Sequence, residues 1–292
     1  MNNFVRFIFL VMLCSWSWYG TAEAALSLQI GFHAKSFPDF SVEDVEISVK
    51  LLAEELGKEI GVETHVDVYE DIRAMRQDFE QGKINFVVAS SILLVKEFNS
   101  ALFVDGFRFV RISPLSDRVI VLGQIKPGKR TLQDYRGDRL ALAQYDPMTD
   151  LYLDYVSWLT FKRSYQNSFK LLGREKKAHQ LILKLFFDSA DVTCVYQNAY
   201  ATALEMNPQL EKKLQIIAQT EFMPQGMGLF HRNTPVEFRE LVIAEALKLA
   251  DRPRGQQLLN LFKSERAIRS TYADLDAALK LNTAYQNLIL KK

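Results

Sequence analysis

Four histidines (His33, His65, His179 and His231) and two cysteines (Cys14 and Cys194) are the side chains best suited to acid–base, nucleophilic or metal chemistry. Their spacing serves none of these. No two histidines stand in an H-x-x-x-H arrangement, so the sequence contains no local metal-ligand pair. Cys194 lies in the apolar run Val192 to Tyr196, the setting of a buried and inert thiol. The carboxylate pairs Glu54-Glu55 and Glu70-Asp71 fall on, or at the start of, predicted helices, where they solvate a face or complement a helix dipole. G-x-S-x-G, Walker-type and G-x-G-x-x-G elements are absent. The residues read as those of a binding protein, not an enzyme, with no cofactor and no metal.

The remaining polar chemistry is a set of hydroxyls, amides and aromatics in segments that follow apolar strands: His33 to Phe40, Tyr69-Glu70-Asp71, Ala89-Ser90-Ser91, Gln144 to Asp150, and Tyr196-Gln197-Asn198. In α/β sheets such segments line the ligand crevice, and the helix N-termini beside them present free N–H groups to acceptor oxygens. The candidate ligand-binding residues are Tyr69, Ser90, Ser91, Tyr145, Thr149, Asp150 and Tyr196. Each has a structural use as well: the serines as N-caps, the tyrosines as half-buried packing, Asp150 as a solvated first-turn acid. Lys176, Lys177 and His179 stand near the start of a predicted helix, where solvation and anion binding are both open to the lysines. Glu221 and Phe222 fall in a connecting segment.

Strands and helices alternate to position these loops. Leu26, Leu28, Ile30 and Phe32 have the period of a half-buried strand; Val42, Val45, Val49, Leu52, Ala53 and Leu56 form a helical stripe capped by Ser41. Val62 to Val68 alternates again, Glu70 to Phe79 is helical up to Gly82, and Ile84 to Ala89 is a buried strand. This β-α-β-α-β order predicts parallel pairing. Val119 to Leu122, Leu140 to Ala143, Val192 to Tyr196 and Leu214 to Ala218 are further predicted strands, with helices at Leu151 to Phe161 and Glu175 to Phe187. From Pro235 onward the chain reads as mostly helical.

Composition fits this picture. The 292 residues are 48% apolar and 24% charged, which is globular rather than disordered. With 36 Lys plus Arg against 35 Asp plus Glu there is no basic field for a nucleic-acid backbone. Residues 1–24 have the pattern of a signal peptide: Arg6, the apolar run Phe7 to Leu13, then Ala22-Glu23-Ala24, which sets cleavage before Ala25. An uncleaved anchor is the alternative. Lipidation at Cys14 is disfavoured by the bulky Leu13 before it. Export to the periplasm is expected, with a single thiol, Cys194, left in the mature chain.

Four segments in order resemble one family. Phe79-Glu80-Gln81-Gly82-Lys83-Ile84-Asn85-Phe86, Thr131 to Ala141, Ser189-Ala190-Asp191-Val192 and Arg252-Pro253-Arg254-Gly255-Gln256-Gln257-Leu258-Leu259 are similar to elements of type II periplasmic solute-binding proteins, in their phosphate- and phosphonate-binding branch. The resemblance implies a two-lobed α/β fold, each lobe a mostly parallel sheet flanked by helices, with the ligand in the cleft between them. It implies lobe one at 25–115 and 220–292 and lobe two at 116–219, joined by two crossovers. The implied function is the substrate-binding component of an ABC-type importer for a small polar solute, phosphonate- or phosphate-like, with a membrane permease as partner. The alternative is a ligand-sensing partner of a membrane sensor kinase or cyclase. One segment departs from the family: Asp146-Pro147-Met148-Thr149-Asp150 keeps the Asp-Pro pair but puts a carboxylate where relatives have a Ser/Thr-rich run. An ionised Asp150 facing the cleft would repel a phosphonate and favour a cationic or zwitterionic solute.

Overall fold

The computed structural model describes residues 26–37, 42–110 and 117–290. The signal segment, Cys14, the start at Ala25 and the cap Ser41 lie outside these residues. In chain order the strands are β1 (Leu28–His33), β2 (Thr64–Tyr69), β3 (Phe86–Ser90), β4 (Phe103–Val110), β5 (Val119–Gln124), β6 (Arg139–Ala143), β7 (Lys170–Glu175), β8 (Val192–Tyr196), β9 (Leu214–Gln219), β10 (Gly226–His231) and β11 (Arg266–Ser270). The helices are α1 (Val42–Ile60), α2 (Ile72–Glu80), α3 (Ser91–Glu97), α4 (Pro147–Phe161), α5 (Ala178–Phe186), α6 (Gln197–Met206), α7 (Leu210–Lys213), α8 (Val236–Leu247), α9 (Pro253–Leu261) and α10 (Asp276–Leu290).

Two sheets organise them. One has the order β11-β4-β10-β3-β1-β2, the other β7-β6-β8-β5-β9. The alternating Leu28, Ile30 and Phe32 of β1 are buried against the α1 stripe of Val45, Val49, Leu52, Ala53 and Leu56, as their periods require. On the opposite face of that sheet Met75 and Phe79 of α2 pack with Val87, Ala89 and Leu229. In the second sheet Val121, Leu140, Leu142 and Val192 pack under α4, and Ile120, Leu122, Ala141 and Val195 pack under α5. Cys194 is buried in the α4 layer, and loss of water raises its thiol pKa, which makes it inert.

The parallel expectation holds for β2-β1-β3 and for β7-β6-β8. The other pairings are antiparallel: β10 with β3 and β4, β11 with β4, and β5 with β8 and β9. The sheets are therefore mixed rather than mostly parallel, because strands that arrive through the crossovers enter from the opposite end. Four strands escape the periodicity reading: β4, β7, β10 and β11. Glu175 closes β7, so the predicted helix at 175–187 begins only at Ala178, and β11 interrupts the helical tail. The helix predicted from Leu151 starts at Pro147, where Asp146 caps it by accepting the Thr149 N–H at 3.1 Å.

The family-like segments hold the fold together. Gly82 has φ +71°, outside the range comfortable for other residues, and ends α2. Asn85 accepts the Gln29 N–H at 3.0 Å and donates to the Ser27 carbonyl at 2.8 Å, which sets β3 beside β1. Asp191 accepts the Arg139 Nε–H at 2.9 Å and backbone N–H at 3.0 Å, and Lys126 at 2.5 Å, which clamps β6 to β8.

The chain passes between the sheets twice, after β4 and after β9. At these passages the Met223 N–H donates to the Asp117 carbonyl at 2.5 Å and the Thr220 N–H to the Val119 carbonyl at 2.9 Å. Arg108 Nη1 pairs with Asp117 Oδ2 at 2.7 Å, and its guanidinium lies 5.2 Å from the Phe222 ring centre. The two connecting strands thus form one short hydrogen-bonded hinge. Beside it α10 packs Ala278 and Leu281 into a cluster that includes Ile92 of α3 and Leu151 and Tyr152 of α4.

Candidate functional site

Strand register brings the candidate loops to the hinge. Ser90, last residue of β3, is paired with Gly226, and the next residue, Ser91, donates its N–H to the Gln225 carbonyl at 3.1 Å. The Ser91 hydroxyl donates to the Pro224 carbonyl at 2.5 Å, so this serine fastens α3 to the second crossover and caps nothing. On the other sheet Tyr196, last residue of β8, is paired with Val119, and Gln197 donates its N–H to the Arg118 carbonyl at 2.8 Å. The ends of β3 and β8 therefore meet the two bonded crossovers from opposite sides.

Several polar atoms at these strand ends are buried without a hydrogen-bond partner among the described residues. They are Ser90 Oγ, Tyr196 Oη, Arg118 Nε, Gln197 Oε1 and Arg108 Nε. Ser90 stands at the N-cap position of α3, yet its hydroxyl makes no cap bond, and its own N–H donates to Ser36 Oγ at 2.9 Å. Buried polar atoms are nearly always satisfied, and an unsatisfied group costs about 1–3 kcal/mol. Several together at a hinge between two α/β units make this the candidate site. Burial, followed by nearby Asp146 and Asp117, raises the Tyr196 phenol pKa, so it is a neutral donor. Gln197 falls in the segment Tyr196-Gln197-Asn198 expected to line the crevice, whereas Arg118 and Arg108 were not anticipated from sequence. The only signal available for these two was their proximity to a predicted crossover, since neither follows a recognisable motif.

The electrostatics resolve the Asp150 question. Arg174, at the end of β7, places Nη2 at 3.0 Å and Nη1 at 3.2 Å from the two Asp150 carboxylate oxygens. Asp150 is neither a lone solvated acid nor a free cleft charge, because the fork pairing offsets it. Loss of water raises its pKa while Arg174 opposes the shift. Removal from water pushes the half-buried Asp146 up to about 7, against hydrogen bonds from Thr149, so this carboxyl is largely neutral in mildly acid solution. Arg108 is matched by Asp117, and Arg118 Nε is buried with no hydrogen-bond partner among the described residues.

The other candidates have assigned partners. Tyr69 donates its hydroxyl to Asp78 Oδ2 at 2.9 Å, and burial raises its phenol pKa. Thr149 is buried and donates its hydroxyl to the Asp146 carbonyl at 3.1 Å inside the first turn of α4. Tyr145 is half exposed, and Lys35, from the segment after β1, lies 5.8 Å from its ring centre. That contact faces the two units toward one another across the crevice. Ser90, Ser91 and Tyr196 thus come together at its foot, Tyr145 lies at its rim, Thr149 and Asp150 belong to the α4 turn, and Tyr69 bonds within its own unit. Among the described residues no group of His, Cys, Asp or Glu is arranged for a metal, and no helix is long and apolar enough to cross a membrane.

Comparison with known proteins gives the same picture at the level of fold. The family model for the phosphonate periplasmic substrate-binding protein of ABC transporters matches residues 36–275. No curated protein matches the sequence. The fold is similar to PhnD1 of Prochlorococcus marinus in complex with methylphosphonate, at 13% identity and TM-score 0.64, covering 90% of this chain and 98% of that one. A binding protein component of an ABC phosphonate transporter from Pseudomonas aeruginosa is 10% identical, with TM-score 0.64 and coverage of 91% and 88%. The periplasmic aliphatic sulphonate binding protein SsuA of Escherichia coli is 14% identical, with TM-score 0.53 and coverage of 91% and 89%.

Proposed function

Because the chain belongs to the family of periplasmic phosphonate-binding substrate-binding proteins of ABC transporters, we propose that it closes two lobes on a phosphonate-type anion at the hinge and delivers it to the membrane permease. The observation that carries this reading is the set of buried donors around the hinge without a partner among the described residues, Ser90 Oγ, Tyr196 Oη and Arg118 Nε. Hydroxyl and guanidinium donors suit a tetrahedral oxyanion. The neutralised Asp150 and the easily protonated Asp146 remove the repulsion that the sequence raised. Methylphosphonate, the ligand of the Prochlorococcus protein, is the natural first probe.

On this reading lobe one comprises 25–115 and 220–292 and lobe two 116–219, with cleavage before Ala25 releasing the protein into the periplasm. Ligand binding favours the closed arrangement by its differential affinity, and the protein performs no chemistry on what it holds. The family membership favours a permease over a sensor kinase or cyclase as partner. A thermal-unfolding titration tests the reading. Methylphosphonate at about one hundred times its Kd should stabilise the fold by roughly 2.7 kcal/mol and raise Tm by roughly 5–10 °C. No shift with methylphosphonate, phosphate or an alkylsulphonate would remove the oxyanion assignment.

A further inference from the structure

A cavity of about 550 Å3 is lined by Gln144, Arg174, Glu175, Lys176, Lys177 and Gln180. It lies at the carboxyl ends of the parallel strands β6 and β7, against the first turn of α5, on the same sheet edge as Tyr196. Its volume falls within the range of small-molecule sites.

Its charges are unequally matched. Arg174 is committed to Asp150 and also donates to the Ala143 carbonyl at 2.5 Å, and Glu175 is paired with Lys184. Lys176 and Lys177 have no carboxylate partner among the described residues. Two adjacent ammonium groups beside a helix N-terminus therefore give this cavity an uncompensated positive potential.

The sheet order fixes how far this lies from the hinge set. β7, β6 and β8 are consecutive neighbours, so the ends of β7 and β8 are two strand spacings apart, roughly 10 Å. A lysine side chain covers part of that gap and a short carbon linker the rest. Resting on the reading that the hinge set holds a phosphonate, we infer that the ligand carries a second anionic group, a carboxylate or phosphoryl on a short chain, which Lys176 and Lys177 hold in this cavity. These lysines are then specificity-determining residues: they select an organic phosphonate with two acidic ends over a simple alkylphosphonate or one bearing an amine.

Calorimetric titration of the mature chain with methylphosphonate and with 3-phosphonopropionate tests this, in the wild type and in the double variant Lys176→Gln, Lys177→Gln. The wild type should bind 3-phosphonopropionate at least tenfold more tightly than methylphosphonate at neutral pH. The double variant should bring that ratio to within about threefold of one, and the charge-keeping Lys176→Arg, Lys177→Arg variant should restore most of it. Equal wild-type affinities overturn the inference and leave the phosphonate reading standing, as does a glutamine variant in which both affinities fall together with the ratio kept. Failure of every phosphonate to bind overturns the reading and the inference with it.

Discussion

Ser90 and Tyr196 each bury a hydroxyl that makes no hydrogen bond among the described residues. For both, the nearest isosteric replacement removes only the oxygen, so the consequences for fold and for ligand separate. Taking away an unsatisfied buried hydroxyl leaves no protein partner stranded. Ser90→Ala and Tyr196→Phe should therefore leave the Tm of the ligand-free protein unchanged or slightly raised. If these hydroxyls donate to the ligand, each should weaken methylphosphonate binding by roughly tenfold, the worth of about 1.4 kcal/mol. Calorimetry and thermal unfolding on the same samples decide it: a lowered apo Tm with unchanged affinity would make both residues part of the core. Ser91 is the contrasting neighbour. Its hydroxyl already serves the Pro224 carbonyl, so Ser91→Ala strands a buried acceptor and should cost apo stability.

At the scale of elements, Asp191 shows why the family-like segments were readable. Its carboxylate joins β6 and β8 through Arg139 and Lys126, and these hydrogen bonds outweigh burial and hold its pKa well below the usual carboxylate range. A depressed folded pKa gives stability that is present above the unfolded value near 4 and lost as pH falls through the folded one. Asp191→Asn should cost roughly 1–3 kcal/mol at pH 7, discounted for partners about a third exposed, and the gap to wild type in urea unfolding should narrow as pH falls below about 4. A gap independent of pH would mean that only geometry, not charge, is at work. β1, β3, β6 and β8 were legible because their apolar residues alternate or run continuously. The unread strands lack such marks. β7 is an edge strand with mostly exposed residues and Gly173 within it, so no alternation survives. β10 contains Gly226 and Gly228, which read as breaks; a Cβ on Gly228 would lie 2.1 Å from the Phe86 ring, so the glycine admits that ring. Missing β7 hid Arg174, and with it the partner of Asp150. The hinge residues Arg118 and Arg108 were illegible for a different reason: they acquire meaning only when two crossovers distant in sequence lie side by side.

For the molecule as a whole, lobe closure must bend the bonded crossovers, yet these are not the only link between the two sheets. The turn before α10 buries Leu275 in the first sheet's core and stacks Tyr272 on Phe103 at 5.9 Å, while α10 itself ends against α4. There Tyr285 donates its hydroxyl to Asp154 Oδ2 at 2.7 Å. Helix α10 is thus a third, non-covalent strap, rooted on one sheet and latched to the layer of the other. Asp154 keeps two further donors on its other oxygen, the Ser164 hydroxyl at 2.5 Å and the Tyr165 N–H at 2.9 Å, so losing the phenol does not leave a bare buried charge. Tyr285→Phe should then cost only about 1 kcal/mol of global stability. Its larger effect should be local: faster amide exchange through the last turns of α10, with β1, β3, β6 and β8 unchanged. If the strap restrains opening, small-angle scattering should also give a larger radius of gyration for the ligand-free variant than for ligand-free wild type, and the same radius for both once methylphosphonate is bound. Equal radii without ligand, alongside loosened α10 amides, would mean that the crossovers alone set the open angle and that α10 rides passively on the second sheet's layer.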